Sequence, residues 1–392
     1  MPQSKTPHIR FKGFSGEWKK KQLGDIADII GGGTPSTSIA EYWGGNIDWY
    51  SPTEIGNQVY ANGSVKKITQ LGLEKSSAKI LPSGKTILFT SRAGIGNMAI
   101  LSKDGATNQG FQSLILRDRY DTYFIYSAGF LIKKYALKYS SGSTFLEISG
   151  KQLSNMNIII PNIEEQTKIG EYFQRLDVLI EQKEKKYQKL KQFKTAMLSQ
   201  LFPQEGEYTP KLRFKGFSGE WEKKILDEIV NRYDNLRVPI SAVNRIAGNT
   251  PYYGANGIQD YVKGHTHDGE FILIAEDGAN DLKNYPVQYV NGKIWVNNHA
   301  HVLQAKMDIA DNVFLKFALS KINIEPFLVG GGRAKLNANI MMDLNIKIPS
   351  DINEQTKIGN YFQKLDTLID LHQQELEKLK TMKKALLAKM FV

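Results

Sequence analysis

The most regular pattern of apolar and polar residues lies in two segments, 165–202 and 354–391. In each segment one stripe of residues is spaced alternately four and three apart over five heptads, and eight of its ten positions are apolar. Such a stripe predicts a long helix whose apolar seam packs against another helix. Because both segments carry it, we expect the two helices to form an antiparallel coiled coil through these residues: Phe173, Leu176, Ile180, Leu190, Phe362, Leu365, Ile369 and Leu379.

Polar residues interrupt the two stripes at matching places. Lys183 and Lys194 occupy stripe positions in the first segment, and His372 and Lys383 occupy the corresponding positions in the second. They could either fix the register of the helix pair or leave room for partner subunits. The alternative to a helix pair is that each helix packs on its own globular neighbour.

The chain also repeats itself at the start of two tandem units. The nonapeptide RFKGFSGEW opens the stretches 10–26 and 213–229, which agree at 13 of 17 positions. The two helical segments agree at 20 of 38 positions. The residues between the repeated ends differ in sequence, charge and length. This arrangement favours one scaffold that presents two different specificities.

The middle of each unit consists of short apolar runs separated by polar turns. KTILFTSRAGIGNMAIL predicts a strand, a turn at Arg92 and a second strand, and EFILIAEDGANDL predicts a strand followed by a turn at Asp277. VQYVNGKIWV predicts a hairpin on Asn291-Gly292. The expected fold class is therefore α+β: two globular mixed α/β domains separated by two long helices in an antiparallel coiled coil, with pseudo-two-fold symmetry.

The repeats and a proline-containing connection predict the domain boundaries. We expect a first globular domain at 1–161, a first long helix at 162–202, a linker at 203–212, a second globular domain at 213–349 and a second long helix at 350–392. The repeated segments 10–26 and 213–229 begin the two globular domains.

Composition adds the class of partner. The 392 residues include 51 basic and 40 acidic side chains, a net charge of +11, and the excess lies in residues 1–163, which have 19 basic and 11 acidic side chains. This charge favours a polyanion such as nucleic acid. The absence of cysteine excludes disulfides and thiolate metal sites. With no signal-like segment or membrane-spanning run, we expect a cytoplasmic protein.

The polar residues of the turns are candidate DNA contacts. In order along the chain, Arg92 corresponds to Glu276 and Asp277, and Asn108-Gln109 corresponds to Asn298-His299. In the major groove, arginine suits guanine, asparagine and glutamine suit adenine, and a carboxylate accepts from the cytosine amine. The hypothesis is that these turns lie against base edges and read different sequences. The alternative is that Arg92 and Asp277 form ordinary ion pairs within their turns.

The full set of candidate DNA contacts joins these turn residues to neighbouring polar, aromatic and basic side chains. It comprises Lys66, Lys67, Ser91, Arg92, Asn108, Gln109, Tyr252, Tyr253, Asp277, Asn297, Asn298, His299, Arg333 and Lys335. Lys85 and Lys103 are further candidates for phosphate contacts. Trp49 and Tyr50 could stack on bases, although core packing is the commoner fate of such aromatic residues.

The repeated heads, the EQTKIG.YFQ.LD.LI helical tails and the unlike middles together resemble the specificity subunit of a type I restriction–modification system. The segments 31–55 and 249–262 look like the openings of that family's target-recognition domains, and 142–161 and 331–349 look like their closing segments. The resemblance implies that each recognition domain reads one half of a split DNA target. It also implies that the helical spacer sets the gap and docks two modification subunits.

The same resemblance implies that this chain is not an enzyme and carries no cofactor. Adenine methylation with S-adenosylmethionine would reside in the modification subunits, and ATP- and Mg-dependent restriction would reside in two restriction subunits. Two other functions compete with this interpretation. One is a protein–protein scaffold with incidental basic charge. The other is a metal-dependent nuclease that uses the pairs His265/His267 and His299/His301, for which no third ligand is obvious, so no metal site is assigned.

Overall fold

The computed structural model describes residues 5–56, 58–92, 94–142, 146–330 and 334–392. The chain forms two compact units. Unit 1 comprises residues 1–185 and 374–392, and unit 2 comprises residues 186–373. Each unit therefore takes most of its chain from one sequence repeat and part of a long helix from the other.

Unit 1 is built mainly from short strands. Its elements in chain order are β1 (Lys19–Gln22), α1 (Leu23–Ile26), β2 (Ala27–Gly31), β3 (Trp43–Tyr50), β4 (Tyr60–Ala61), β5 (Lys66–Ile68), α2 (Gln70–Glu74), β6 (Thr86–Phe89), β7 (Met98–Leu101), β8 (Gly105–Thr107), β9 (Gln112–Leu116), α3 (Thr122–Ser127), α4 (Gly129–Tyr139), α5 (Gly150–Ser154), β10 (Asn157–Ile160) and the start of α6 (Ile163–Leu201). The strands form sheets in the orders β2-β9-β6-β7-β4, β5-β3-β8 and β1-β10.

Unit 2 repeats this plan with longer strands. After the end of α6 come β11 (Glu222–Ile225), α7 (Leu226–Ile229), β12 (Val230–Arg232), β13 (Ala247–Gly254), β14 (Gly257–Val262), β15 (His267–Ala275), β16 (Val287–Val296), β17 (Ala300–Ala305), α8 (Asn312–Ser320), α9 (Ala338–Met342), β18 (Asn345–Ile348) and the start of α10 (Ile352–Met390). The sheet orders are β12-β17-β15-β16-β13-β14 and β11-β18.

One prediction for this unit is wrong. Asn291-Gly292 is not a hairpin turn, because β16 continues through it and pairs antiparallel with β15. Gly292 lies opposite Gly269, and both have positive φ, of +92° and +138°. Two facing glycines accommodate the irregular backbone inside the strand pair, so the glycine does not mark a chain reversal.

The repeated nonapeptide closes each core against the end of a long helix. In unit 1, the Ile9 N–H donates to the Lys389 carbonyl at 3.0 Å, and Trp18 packs against Phe391 with ring centroids 6.5 Å apart. In unit 2, the Leu212 N–H donates to the Gln200 carbonyl at 2.9 Å. Trp221 there packs against Phe202 at 5.6 Å. The same head and helix end therefore meet in both units, and in each unit they come from different repeats.

Within each unit, parts of the two long helices pack antiparallel. In unit 1, Lys383 pairs with Asp177 and Lys380 with Glu184, so residue numbers rise along one helix as they fall along the other. In unit 2, Lys194 pairs with Asp366 in the equivalent way. The predicted antiparallel helix pair and the α+β class are confirmed. The polar interruptions at Lys194 and Lys383 carry the ion pairs that fix the register.

The helices also pack on the globular cores. Phe173 is fully buried in unit 1 in the same cluster as β6 and β9, and Phe362 is fully buried in unit 2 among residues of β15 and α8. The two arrangements considered from the sequence therefore occur together. Ile180 and Leu379 pack at the edge of the unit 1 core, and Leu365 packs at the edge of the unit 2 core. In the described chain, no helix is both long and apolar enough to span a membrane.

Candidate nucleic-acid interface

Three segments converge at the predicted recognition turn of unit 1. The Ser91 N–H, just after β6, donates to the Gly110 carbonyl at 2.8 Å. The Ser91 carbonyl accepts from the Ile148 N–H at 3.1 Å, and the Tyr50 carbonyl accepts from the Asn108 N–H at 3.0 Å. Backbone hydrogen bonds thus hold the residues around 91, 109 and 147 side by side.

The turn of unit 2 has the same backbone hydrogen bonds. The Glu276 N–H donates to the His299 carbonyl at 2.8 Å, and the Leu336 N–H donates to the Glu276 carbonyl at 2.7 Å. The Asn297 N–H donates to the Tyr253 carbonyl at 3.0 Å. These bonds match the residues of the two turns one to one: Ser91 with Glu276, Arg92 with Asp277, Asn108 with Asn297, Gln109 with Asn298, Gly110 with His299, and Glu147 with Lys335.

This correspondence corrects the sequence comparison by one residue. Asn108 and Asn297 each accept a hydrogen bond at 2.8 Å from the backbone N–H two residues later, so both shape their turns. The side chains presented to solvent are those of the following residues, Gln109 and Asn298, which are both exposed. Gln109 also accepts a hydrogen bond from the Thr34 hydroxyl.

The charges at equivalent positions are opposite in the two turns. In unit 1, Arg92 faces Glu147 at 3.8 Å, and both side chains are more than one-third exposed. In unit 2, the acidic Asp277 stands in place of Arg92 and the basic Lys335 stands in place of Glu147. Asp277 contacts His299 Nδ1 at 2.5 Å, and Lys335 pairs with Glu276 at 2.9 Å. The same backbone therefore carries a different pattern of donors and acceptors.

A buried charge cluster underlies the turn of unit 2. Glu276 pairs with Arg237 at 2.6 Å, and Asp234 contacts His301 at 2.7 Å. Burial raises the pKa of Glu276, but hydrogen bonds from Arg237 and Lys335 outweigh it and hold the pKa below its ordinary value. Burial likewise opposes ionisation of Asp234, and the hydrogen bond and charge of His301 leave its pKa lowered. Sequence inspection did not single out Asp234 or Arg237.

Of the predicted phosphate-binding lysines of unit 1, Lys66 and Lys67 lie on β5 of the three-stranded sheet, and Lys85 immediately precedes β6 of the five-stranded sheet. Lys66 on β5 is exposed, and its ammonium lies 5.7 Å from the centre of the Trp43 ring. Lys67 is half-exposed and pairs with Asp48 at 3.3 Å. Burial raises the pKa of Asp48, but hydrogen bonds from Ser64 and Lys67 outweigh burial and lower it. Lys85 faces Asp118 at 3.9 Å, and Lys103 is exposed.

Most of the candidate aromatic residues are part of the cores. Trp49 donates through Nε1 to the Gly33 carbonyl at 2.8 Å, and Tyr50 is 1% exposed. Burial, with the nearby Asp48 carboxylate, raises the pKa of Tyr50 to about 12. Tyr252 is also 1% exposed, and its hydroxyl bonds to the backbone of Ile240. Tyr253 is half-buried. These rings hold the strands next to the turns, and only Tyr253 has part of its surface in solvent.

Three further candidates differ in accessibility. Ser91 is fully buried and Asn297 is 3% exposed, so both side chains support the turn from the interior of their units. Arg333 lies outside the described residues. Glu147 was missed because it lies in the closing segment, far in sequence from Arg92, and only the backbone bonds around Ser91 bring the two together. Among the described residues, no group of three or more potential ligands that could hold a metal ion is found.

The imidazoles of the two His-x-His pairs make separate contacts. His267 is 2% exposed and bonds to the Thr266 hydroxyl and the Tyr233 carbonyl. Burial lowers the pKa of His267. His301 is buried among carboxylates on the other side of β15, whereas His265 is exposed. Among the described residues, the two histidine pairs do not come together at a common site that could hold a metal ion.

Comparison with known proteins agrees with the duplicated architecture. The chain matches the family described as type I restriction modification DNA specificity domain over residues 15–192 and 218–381. It is 30% identical over 341 residues to the type I restriction enzyme MjaIX specificity subunit of Methanocaldococcus jannaschii, covering 78% of this chain and 77% of that protein.

Two further similarities differ in extent. A relative from Haemophilus influenzae, described as a type I restriction enzyme specificity subunit, is 46% identical over 154 residues, which are 39% of each chain. The chain therefore spans about two fifths of that relative in the alignment. The crystal structure of the S subunit of a type I restriction–modification system from M. genitalium superposes with a TM-score of 0.74 at 18% identity, covering 99% of both chains.

Proposed function

The chain belongs to the family of type I restriction–modification DNA specificity subunits, and from this premise we propose how its two turns read DNA. Each turn lies against the base edges of one half of a two-part duplex target. The observation that carries the proposal is the shared backbone of the two turns, which presents Arg92 and Gln109 in one unit and Asp277 and Asn298 in the other. A fixed backbone with exchanged polar side chains is suited to reading different bases with one docking geometry.

The side chains suggest the bases that each turn prefers. The Arg92 guanidinium is a donor pair for the acceptors of guanine, and Gln109 suits the donor and acceptor of adenine. In unit 2, the Asp277 carboxylate accepts from the cytosine amine, and Asn298 suits adenine. Arg92 and Asp277 would exchange their partners Glu147 and His299 for base edges when DNA binds. The Arg92–Glu147 ion pair and the Asp277–His299 hydrogen bond would hold the unbound turns in place.

Phosphate contacts would come from lysines around the turns. Lys66 and Lys67 lie on one strand of unit 1, and Lys335 lies beside Asp277 in unit 2. Lys85, Lys103 and Arg333 would add charge. Such contacts position the protein on the duplex without selecting a sequence. We place the recognition domains at 1–161 and 213–349, with the first long helix at 162–202 and the linker at 203–212 between them in the chain.

The chain acts without a catalytic centre or cofactor of its own. Modification subunits methylate adenine with S-adenosylmethionine, and restriction subunits use ATP and Mg for translocation and cleavage. The assembly works on DNA in the cytoplasm. The paired helices serve as the spacer between the two recognition domains, with the seam residues Phe173, Leu176, Ile180, Leu190, Phe362, Leu365, Ile369 and Leu379 holding it together.

We also assign a docking face for the two modification subunits on these helices. Beside the seam, unit 1 exposes Leu179 and Met382, and unit 2 exposes Leu368 and Phe193. The offset that aligns the two helical segments also separates Leu179 from Leu368 and Phe193 from Met382. The two residues of each pair are therefore at equivalent positions in the repeats. Ion pairs such as Glu184–Lys380 occupy the opposite flank of the seam. An exposed apolar pair at equivalent positions in each unit fits two copies of one partner.

The experiment uses this chain assembled with its modification subunits. Binding to the target duplex is measured against salt, and the footprint of Arg92→Ala is compared with that of the unchanged complex. We expect log affinity to fall linearly with log salt. We expect Arg92→Ala to relax preference by about 1–3 kcal/mol at one base pair. Lys5→Ala, which removes only an exposed ion pair with Glu17, serves as the control.

Two outcomes would contradict the proposal in different ways. A complex with no affinity for any duplex would favour a protein–protein scaffold with incidental charge. Unchanged preference at every base pair after Arg92→Ala would remove Arg92 from the readout while leaving the family assignment intact.

A further inference from the structure

His301 lies at the centre of the buried charge cluster below the unit 2 turn. Its ring is 1% exposed. Nδ1 lies 2.7 Å from a carboxylate oxygen of Asp234, and Nε2 lies 2.9 Å from the backbone carbonyl oxygen of Leu336. Both partners can only accept a hydrogen bond when Asp234 is ionised. A neutral imidazole has a single N–H, so only the doubly protonated ring satisfies both contacts.

The surroundings favour the ionised form of Asp234, which accepts the hydrogen bond from His301. Asp234 also accepts a hydrogen bond from the Val302 N–H at 2.8 Å, which favours its ionised form. The other charged groups facing the cluster are Glu276, 3.6 Å from Nδ1, and Arg237, which pairs with both carboxylates. Lys335 pairs with Glu276 at 2.9 Å, and Arg232 lies 3.8 Å from Asp234.

The imidazolium ties together the segments that carry the turn. His301 lies on β17, two residues after His299 of the turn. Through Asp234 it reaches the segment after β12, and through the Leu336 carbonyl it reaches the segment that includes Lys335. Leu336 in turn donates to the carbonyl of Glu276, the residue before Asp277. Asp277 is therefore one residue from Glu276, and Lys335 is one residue from Leu336, so both adjoin a contact of this ring.

Unit 1 has neutral residues at the positions equivalent to His301 and Glu276. On β17, Leu303 pairs with Ile272 of β15 and Arg232 of β12. On β9, Leu114 pairs with Ile87 of β6 and Ile29 of β2 in the same way. Leu303 and Leu114 are therefore at equivalent positions. The residue two before Leu303 is His301, and the residue two before Leu114 is Gln112. Glu276 is likewise matched by Ser91, a neutral residue. The imidazolium is therefore a feature of one recognition unit and not of the shared scaffold.

We propose that His301 is a positioning residue for base readout by unit 2, and that its doubly protonated ring fixes the Asp277 turn against the Lys335 segment. This proposal rests on the proposed function. Without the imidazolium, Asp234 and Glu276 lose one of the two cations that they share, because Arg237 alone remains, and the turn relaxes. Discrimination in the half of the target read by unit 2 then falls, while discrimination in the other half is unchanged.

The test measures half-site discrimination with the full chain bound to its modification subunits. Competing duplexes carry single base-pair changes in one half or the other, and the affinity ratio of correct to altered duplex is the readout. His301→Gln should lower the ratio for the unit 2 half about 10-fold, in line with the loss of one good base contact. His267→Gln is the matched control, because it removes another buried imidazole of unit 2 whose hydrogen bonds go to Thr266 and Tyr233 rather than to the residues of the turn.

A second variant separates positioning from folding. His301→Gln combined with Glu276→Ser reproduces the neutral pair that unit 1 has at Gln112 and Ser91. The double variant should recover the melting temperature that His301→Gln lowers, but it should not recover the discrimination. Recovery of discrimination in the double variant would overturn the proposal, because only charge balance would then matter. Equal losses in both halves after His301→Gln would also overturn it.

Two outcomes separate this inference from the proposed function. If the complex shows no sequence-dependent binding, the proposed function fails. If binding is specific but insensitive to His301→Gln, only this inference fails.

Discussion

The turns at Arg92 and Asp277 have equivalent backbone hydrogen bonds, but nearly all of their side chains differ. In unit 1 the residues beneath the turn are neutral, with Ser91 and Gln112 at the positions that Glu276 and His301 occupy in unit 2. A buried carboxylate needs compensation, and unit 2 supplies it from Arg237 and His301. Between these two units, the different surface charges therefore go together with different residues in the layer below.

The parts of the units outside the turns are much more alike. Arg10 donates from Nε and Nη2 to the two carboxylate oxygens of Glu165, with both distances 2.7 Å. Arg213 makes the same two bonds, also at 2.7 Å, to Glu354. Both glutamates are 1% exposed. These repeated pairs anchor the nonapeptide to the start of each long helix, so the frame stays constant while the turns vary.

The largest effect should come from breaking this frame in one unit at a time. Arg10→Ala and Arg213→Ala each leave a buried carboxylate without its partner, which we expect to destabilise the affected unit by about 3–5 kcal/mol. Because a chain of two units need not unfold in a single step, hydrogen exchange resolved by peptide should measure the loss in each unit separately.

A matched control is available in the same region. Lys5 forms an ion pair with Glu17 at 3.0 Å, and both side chains are largely exposed. Lys5→Ala should cost at most about 1 kcal/mol. If Arg10→Ala were as mild as Lys5→Ala, or if Arg213→Ala loosened unit 1 as much as unit 2, the frame would not consist of two equivalent anchors.

A smaller effect should distinguish the turns at acid pH. The folded state holds the pKa of Asp234 and of Glu276 below their ordinary values, against the effect of burial, through bonds to His301, Arg237 and Lys335. Their stabilisation is present above the unfolded pKa and is lost as pH falls through the folded one. Peptides around 276 and 299 should therefore lose protection from exchange on acidification before those around 91 and 110.

Glu276→Ser provides the check on that explanation. The variant places the unit 1 residue in the unit 2 turn and removes one titrating carboxylate. Its unit 2 turn should lose less protection between neutral and acid pH than the unchanged turn. An unaltered acid response would place the cause elsewhere in the unit.

The sequence predicted the long helices and the duplication because their signals are local and repeated. A heptad stripe needs only the residues of one segment, and α6 and α10 are each a single helix of 39 residues. The role of Lys194 and Lys383 stayed open, because the ion pairs that explain them join residues far apart in the chain.

The turns were harder to predict for the same reason. Asn297, Asn298 and His299 are consecutive polar residues, and only the bond from Asn297 to Tyr253 shows which of them matches Asn108. The cluster beneath them joins Asp234 to His301, 67 residues apart in sequence. Asn291-Gly292 has the composition of a turn, yet the facing Gly269 lets the strand continue through it.

The central claim is that one frame holds two independent reading units. The most direct measurement replaces residues 230–340 with the corresponding region of another recognition unit and determines the methylated target by methylation-sensitive sequencing of cells that express the complete system. The account predicts that one half of the target changes, while the other half stays the same. A change in both halves would contradict it, as would a target that has no separate halves.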